Sequence, residues 1–260
     1  MDTLYLLDEM RRVARHCGEM MLVAGEGGIA AERKTSFRDL VTDYDKRIQA
    51  YAVNALSEAF PDAGFVCEEG SPADTGAGAL TFVIDPIDGT LNFVHHFRHS
   101  CTSIACMADG EAVAGVVINP YSDELFYAAR GAGAFLNGRR LRILPCSLAE
   151  TMALFGTSPY NPEVADDTFT RLRMLFGRCR DIRRAGAAAL DLCYVAAGRA
   201  GLYFEERICL WDYAAGALIV REAGGICTDL EGNPLSYGKK DKTACVAGCA
   251  DLVREFVAMT

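Results

Sequence analysis

The segment Asp85-Pro86-Ile87-Asp88-Gly89-Thr90 constrains this chain more than any other stretch. It follows residues 80–84, an apolar run rich in β-branched and aromatic side chains that is expected to form a buried strand. Pro86 locks φ and removes a backbone donor, and Gly89 admits positive φ, so a tight turn is expected at the strand's end. Asp85 and Asp88 would then face one pocket with the Thr90 hydroxyl beside them, at the kind of strand terminus where α/β sheets place ligands. Consecutive free N–H groups in such a turn make an anion nest. Asp-Gly alone is a common hairpin signal, and Asp is a good helix cap. The whole segment asks for more, because two acids beside a buried strand repel unless a proton or cation neutralises them. Glu68-Glu69 lies just upstream and Trp211-Asp212 far downstream, so three acidic sites can converge on one point. Such hard oxygen donors suit Mg2+, which retains some waters and accepts a substrate phosphate.

The 260 residues suffice for one large domain or two closely joined halves, here divided at 1–145 and 146–260. The first half carries Glu68, Asp85 and Asp88; the second carries Glu205 and Asp212. A formal net charge of −9 argues against nucleic-acid wrapping or docking on an anionic membrane. It leaves a small phosphorylated substrate open, since bound Mg2+ would set the local potential. The 11 cysteines include no CxxC pair and suggest reduced, mostly buried thiols in a cytoplasmic protein. The amphipathic N-terminal pattern points to a helix rather than a signal peptide, and no apolar run reaches the roughly 18 residues that a membrane span needs.

Residues 4–24 predict a helix with Leu6, Met10, Val13, Cys17 and Met21 on one stripe, ended by the glycines at 25–28. A second helix is expected at 43–60, a short strand at 65–67 that delivers Glu68, and a loop at 70–78. Strands follow at 101–108, 112–119 and 124–129, with hairpins at Asp109-Gly110 and Asn137-Gly138, giving a largely antiparallel sheet. The second half alternates strands at 152–156, 181–183, 202–205 and 244–247 with helices at 164–176, 187–197, 212–223 and 250–257. Gly224-Gly225 caps the third of these helices. The fold class is α+β, with layered sheets and helices.

Four segments carry a resemblance to the inositol monophosphatase family of Mg2+-dependent, lithium-sensitive phosphatases. They are Lys34 with Asp39-Leu40-Val41-Thr42 and Asp45; Glu68-Glu69; the run from Asp85 through Gly89-Thr90-Leu91-Asn92-Phe93-Val94-His95; and Trp211-Asp212-Tyr213-Ala214-Ala215-Gly216 with Glu222-Ala223-Gly224-Gly225. They stand in family order across almost the whole chain. The resemblance implies an αβαβα layered sandwich of the sugar phosphatase type, a homodimer, and two or three Mg2+ ions per site. It implies that Glu68, Asp85 and the carbonyl of Ile87 hold a first ion, and that Asp85, Asp88 and Asp212 hold a second. By the same resemblance Thr90 and Glu68 orient the attacking water, while the N–H groups of Gly89 and Thr90 receive phosphate oxygens. The resemblance also implies that Asp88, Glu205, Gly186, Ala187, Ala188 and Asp212 contact substrate. Many members carry Ser or Thr where this chain has Ala187, so one hydroxyl contact is absent.

Several residues have a second reading. Glu205 is either a polyol contact or a solvated strand-end acid, Asp45 either an outer partner of the metal site or a helix-terminal acid. Trp211 is either a stacking platform or core, with core favoured. Glu69 is the weaker partner of the acid pair, and Cys67 is either an oxidant-sensitive thiol or a buried strand residue. His95, His96 and His99 raise a zinc site, which the oxygen-rich acid set disfavours. The glycine runs at 25–28 and 131–133 complete neither a Walker nor a dinucleotide fingerprint. Inositol 1-phosphate is the expected substrate. Fructose 1,6-bisphosphate, 3′-phosphoadenosine 5′-phosphate and histidinol phosphate are alternatives, as is a regulatory binding protein on the same fold.

Overall fold

The apolar stripe of the first helix finds its partner in a sheet. In this computed structural model, which describes residues 3–24, 31–33, 40–70, 79–235, 237 and 242–259, α1 (Thr3–Ala24) fully buries Leu6, Met10, Val13, Cys17 and Met21. Lys34, Asp39 and the glycine loops at 25–28 and 71–78 lie outside the described residues. β1 (Ala31–Arg33) and β2 (Leu40–Thr42) form a small antiparallel pair. β2 leads into α2 (Asp43–Ala59) through a capping box in which Thr42 and Asp45 satisfy each other's backbone N–H groups.

The first large sheet contains β3 (Gly64–Cys67), β4 (Thr81–Asp88), β5 (Cys101–Ala108), β6 (Glu111–Asn119), β7 (Glu124–Ala129), β8 (Gly133–Leu136) and β9 (Arg139–Arg140), in chain order. Only the β3–β4 pair is parallel. Asp109-Gly110 and Asn137-Gly138 both take positive φ, as two-residue hairpin turns require. A short helix, α3 (Thr90–Val94), follows β4. The second sheet has the order β11 (Asp181–Arg183), β10 (Met152–Phe155), β12 (Leu202–Ile208), β14 (Thr243–Gly248) and β13 (Ile226–Thr228). Around it lie α4 (Ala165–Phe176), α5 (Ala188–Ala196), α6 (Leu210–Glu222) and α7 (Ala250–Met259).

Three apolar clusters define the layers. α1 and α2 cover the outer face of the seven-stranded sheet. α5 and α6 fill the space between the sheets, and α4 and α7 cover the far face of the second sheet. The result is an αβαβα sandwich. α6 is apolar nearly all round, with Leu210 and every residue from Tyr213 to Val220 buried, as a helix held between two sheets must be. Gly115 in β6 lets it approach, because a Cβ there would stand 3.0 Å from the Cα of Ala215.

Two local expectations need correction. The Asp85–Asp88 segment does not leave the sheet as a tight turn. β4 continues through Asp88 and absorbs Pro86 at a register shift against β5 between Asp85 and Asp88. A bulge is where a strand tolerates a residue without an N–H, and the Pro86 carbonyl is still used, by the Thr102 hydroxyl at 2.8 Å. Glu205 likewise does not end its strand. β12 runs on to Ile208 past a second register shift against β14.

Candidate active site

The two register shifts and the starts of three helices surround one cavity of 460 Å3. β4 supplies Asp85, Ile87 and Asp88, and the residue after β3 supplies Glu68. The Glu68 N–H donates to the Ile84 carbonyl at 3.2 Å, which extends the parallel pairing by one residue and sets Glu68 beside Asp85. α6 contributes Asp212 from its first turn, and its Oδ2 is fixed by the Cys209 N–H at 2.7 Å. Asp88 Oδ2 is fixed in the same way by the Ala189 N–H of α5, also at 2.7 Å, with the Cys101 thiol 3.7 Å away. Each of these two acids thus commits one oxygen to a backbone donor that sets its orientation.

Oxygens of Asp85, Asp88 and Asp212 lie within 4.8 Å of one another. Burial pushes the Asp85 carboxyl well above the ordinary range, and Glu68, Asp88 and Asp212 push it further. Asp212 is raised by burial and then by Asp88 and Glu68. Asp88 rises to about 7, chiefly through burial, against the opposing pull of the Ala189 N–H. Asp85 is 2% exposed and its Oδ1 has no hydrogen-bond partner among the described residues. A buried acceptor without a donor is costly and marks a place for a cation or proton. All the donors are hard oxygens, so the residues fit Mg2+.

Around this floor the polarity reverses. α3 begins at Thr90, α5 at Ala188 and α6 two residues before Asp212, so three helix N-termini point their positive ends at the pocket. Gly89 precedes α3 with φ 85°, and the N–H groups of such a first turn have no intrahelical acceptor. The Thr90 hydroxyl lies 3.1 Å from the Ile87 carbonyl and 3.4 Å from Asp45 Oδ1. Asp45 therefore caps α2, as the helix-terminal reading has it, and also stands beside the Thr90 hydroxyl.

The opposite wall holds Gly186, Ala187, Ala188 and Glu205, all lining the cavity. Glu205 is 7% exposed, and its carboxylate accepts from the Ser158 N–H at 2.7 Å and the Tyr203 hydroxyl at 2.8 Å. Burial raises its pKa and these two donors hold it back. Gly156 lies flat against it, since a Cβ there would fall 1.9 Å from Glu205 Oε2. Trp211 is half-buried against the middle core and does not line the cavity, in keeping with the core reading. Glu69 is not among the residues that line the cavity, and its backbone N–H donates to Gln49 Oε1 at 3.0 Å. His95 and His96 are exposed, while His99 pairs with Asp191, so the three histidines do not converge.

The sequence reading missed Tyr160, Arg184, Arg207, Asp191 and Tyr203 as cavity residues. Two of them carry local signals. Asp191 is a lone acid in an otherwise apolar helix, and Tyr203 stands two residues before Glu205 on the same strand face. Arg184 and Arg207 carry none.

The inositol monophosphatase family model matches residues 5–255. The Nus factor SuhB of Pseudomonas aeruginosa is 41% identical over 250 residues, covering 94% of this chain and 91% of the relative. The inositol-1-monophosphatase of Rhizobium meliloti is 42% identical over 203 residues, covering 77% and 76%. Among solved structures, the extragenic suppressor protein suhB from Bartonella henselae superposes with a TM-score of 0.91 at 36% identity, covering 97% of each chain.

Proposed function

The chain belongs to the inositol monophosphatase family, and on that premise we propose that it is a Mg2+-dependent phosphomonoester hydrolase whose substrate is a phosphorylated polyol, inositol 1-phosphate first. The observation that carries this reading is the buried acid floor, with Asp85 Oδ1 unpartnered among the described residues, set below three helix N-termini. Glu68, Asp85, Asp88, Asp212 and the Ile87 carbonyl would hold two or three Mg2+ ions. Bound there, Mg2+ supplies Lewis-acid stabilisation of phosphoryl charge and a more acidic water.

The chain's own groups do the rest. The N–H groups of Gly89 and Thr90 receive phosphate oxygens. The Thr90 hydroxyl, backed by Asp45, orients the attacking water together with Glu68. Glu205 is locked by Tyr203 and Ser158, and its remaining lone pairs accept hydroxyls of the polyol. Ala187 offers no hydroxyl, so orientation of the ring rests on Glu205 and the backbone near Gly186. The protein acts as a cytoplasmic homodimer and is inhibited by millimolar lithium.

Phosphate release with Mg2+ is the test, across inositol 1-phosphate, glycerol 2-phosphate, fructose 1,6-bisphosphate, 3′-phosphoadenosine 5′-phosphate and histidinol phosphate. Preference for inositol 1-phosphate is expected. No release from any of them, with Mg2+ bound, would overturn the reading. A second reading, a regulatory role through a protein partner, is favoured by the Pseudomonas aeruginosa relative named a Nus factor. Under it, an Asp85→Asn chain without phosphatase activity would still restore the phenotype of a deletion strain. Loss of complementation together with activity would remove it.

A further inference from the structure

Asn92, His99 and Asp191 have no role in the chemistry above, yet they stand where the two walls of the cavity meet. Asp191 lies in the first turn of α5 and is 1% exposed, and a carboxylate buried that far requires partners. Its Oδ1 is 3.2 Å from His99 Nε2. With a carboxylate as acceptor, Nε2 carries the proton. Asn92 reaches the same two segments from the other side. Its Nδ2 donates to the His99 carbonyl at 2.6 Å and to the Ala185 carbonyl at 2.9 Å. Gly89 occupies the gap, where a Cβ would stand 3.1 Å from both the His99 and the Gly186 carbonyls. The His99 ring also meets Tyr194 of α5 edge-on, with centroids 5.6 Å apart. The segment that carries Gly89 and Thr90 is thereby tied to the segment that opens α5. The same helix start donates the Ala189 N–H to Asp88.

We infer that Asn92, His99 and Asp191 form a clasp that sets the spacing between the phosphate-facing turn and the pocket wall at 186–188, and with it the orientation of Asp88. They are positioning residues that act through the segment at 185–189; Asp191 borders the cavity, but its Oδ1 is committed to His99. Two independent ties on either side of Gly89 resist both sliding and hinging of the walls. One tie alone would leave a rotation about itself. The kinetic arm of the test rests on the phosphatase reading; the metal-binding arm does not.

The test compares His99→Leu, which removes the donor, with His99→Gln, which offers an amide donor to Asp191. The expected result for His99→Leu is a kcat lowered about 10- to 100-fold with KM little changed, and Mg2+ affinity by calorimetry weakened on the same scale. His99→Gln recovers most of both losses. Calorimetry with Mg2+ alone needs no turnover, so a wild-type chain inactive on every phosphomonoester would overturn the proposed function and still leave the clasp measurable. Unchanged kcat and Mg2+ affinity in a His99→Leu chain whose Tm has fallen would overturn the clasp, as would a His99→Gln chain as impaired as His99→Leu. Should His99→Leu fail to fold, Asp191→Asn preserves shape and carries the same expectation. Wild-type Mg2+ binding in that variant would overturn the inference.

Discussion

Two bulged strands, one in each sheet, deliver acids to the same cavity and treat them in opposite ways. In β4 the register shift gathers Asp85 and Asp88 near Asp212, and Asp85 Oδ1 is buried without a donor among the described residues. In β12 the shift presents Glu205, almost equally buried, but the Ser158 N–H and the Tyr203 hydroxyl satisfy both its oxygens. Burial alone does not separate the two sites. The inventory of donors does: a carboxylate group starved of donors calls for a cation, whereas a satisfied one is a fixed acceptor for a ligand hydroxyl.

The largest break in this contrast comes at the starved site. Asp85→Asn is expected to lower turnover about a thousandfold, the equivalent of several kcal/mol of lost electrostatic stabilisation. In EDTA the same variant should melt at a higher temperature than wild type, because one of the mutually repelling buried charges is gone. Near-normal turnover would remove Asp85 from the metal set. On the satisfied side, Gly156→Ala drives a methyl into the Glu205 carboxylate. An increase of about 10- to 100-fold in KM for the polyol phosphate is expected, matching the loss of a charged hydrogen-bond partner, with Mg2+ affinity unaltered. A KM at the wild-type value would show that Glu205 does not meet the substrate.

Proton competition sharpens the comparison further. The folded-state pKa of Asp88 is raised from 3.8 to about 7, so between those values the folded chain holds a proton that the unfolded chain has lost. This group's contribution to stability therefore falls as pH rises through that window, and the cost is complete above 7. On the proposed function, Mg2+ would displace the same proton, so its affinity should weaken about tenfold per unit below pH 7. Titrations at pH 6 and pH 8 read this directly, and equal affinities would exclude Asp88 as a ligand. The smallest effect is expected from Tyr203→Phe, which removes one of the donors to Glu205. A rise of about 2- to 10-fold in KM with unchanged kcat is anticipated from steady-state kinetics.

What the sequence disclosed follows from the range of the forces involved. The α1 stripe, the hairpins at Asp109-Gly110 and Asn137-Gly138, and strands such as β5, β7 and β11 rest on local periodicity and turn chemistry, and all were legible. Pro86 and Gly89 looked like the end of a strand because the neighbour that accommodates them, β5, lies outside the local window. β1, β2, β13 and α3 are too short to carry a pattern of their own. Within the site, the acids stood out because buried like charges are rare. Arg184 and Arg207 reach the cavity by tertiary placement alone, and Gly156 is decisive only because Glu205 lies across it.

The sandwiching of α6 bears on how the chain reaches its native state. The hairpins of the first sheet close short loops and can form within microseconds. α6 has no face prepared for water, and it packs against both sheets. Until it is inserted, each sheet leaves an apolar inner face bare, the condition in which folding intermediates aggregate. The step that covers those faces also carries Asp212 to the cavity. Under the proposed function, Asp212 joins the metal set only once α6 is in place, so Mg2+ in the surrounding solution would draw half-assembled chains toward completion by mass action.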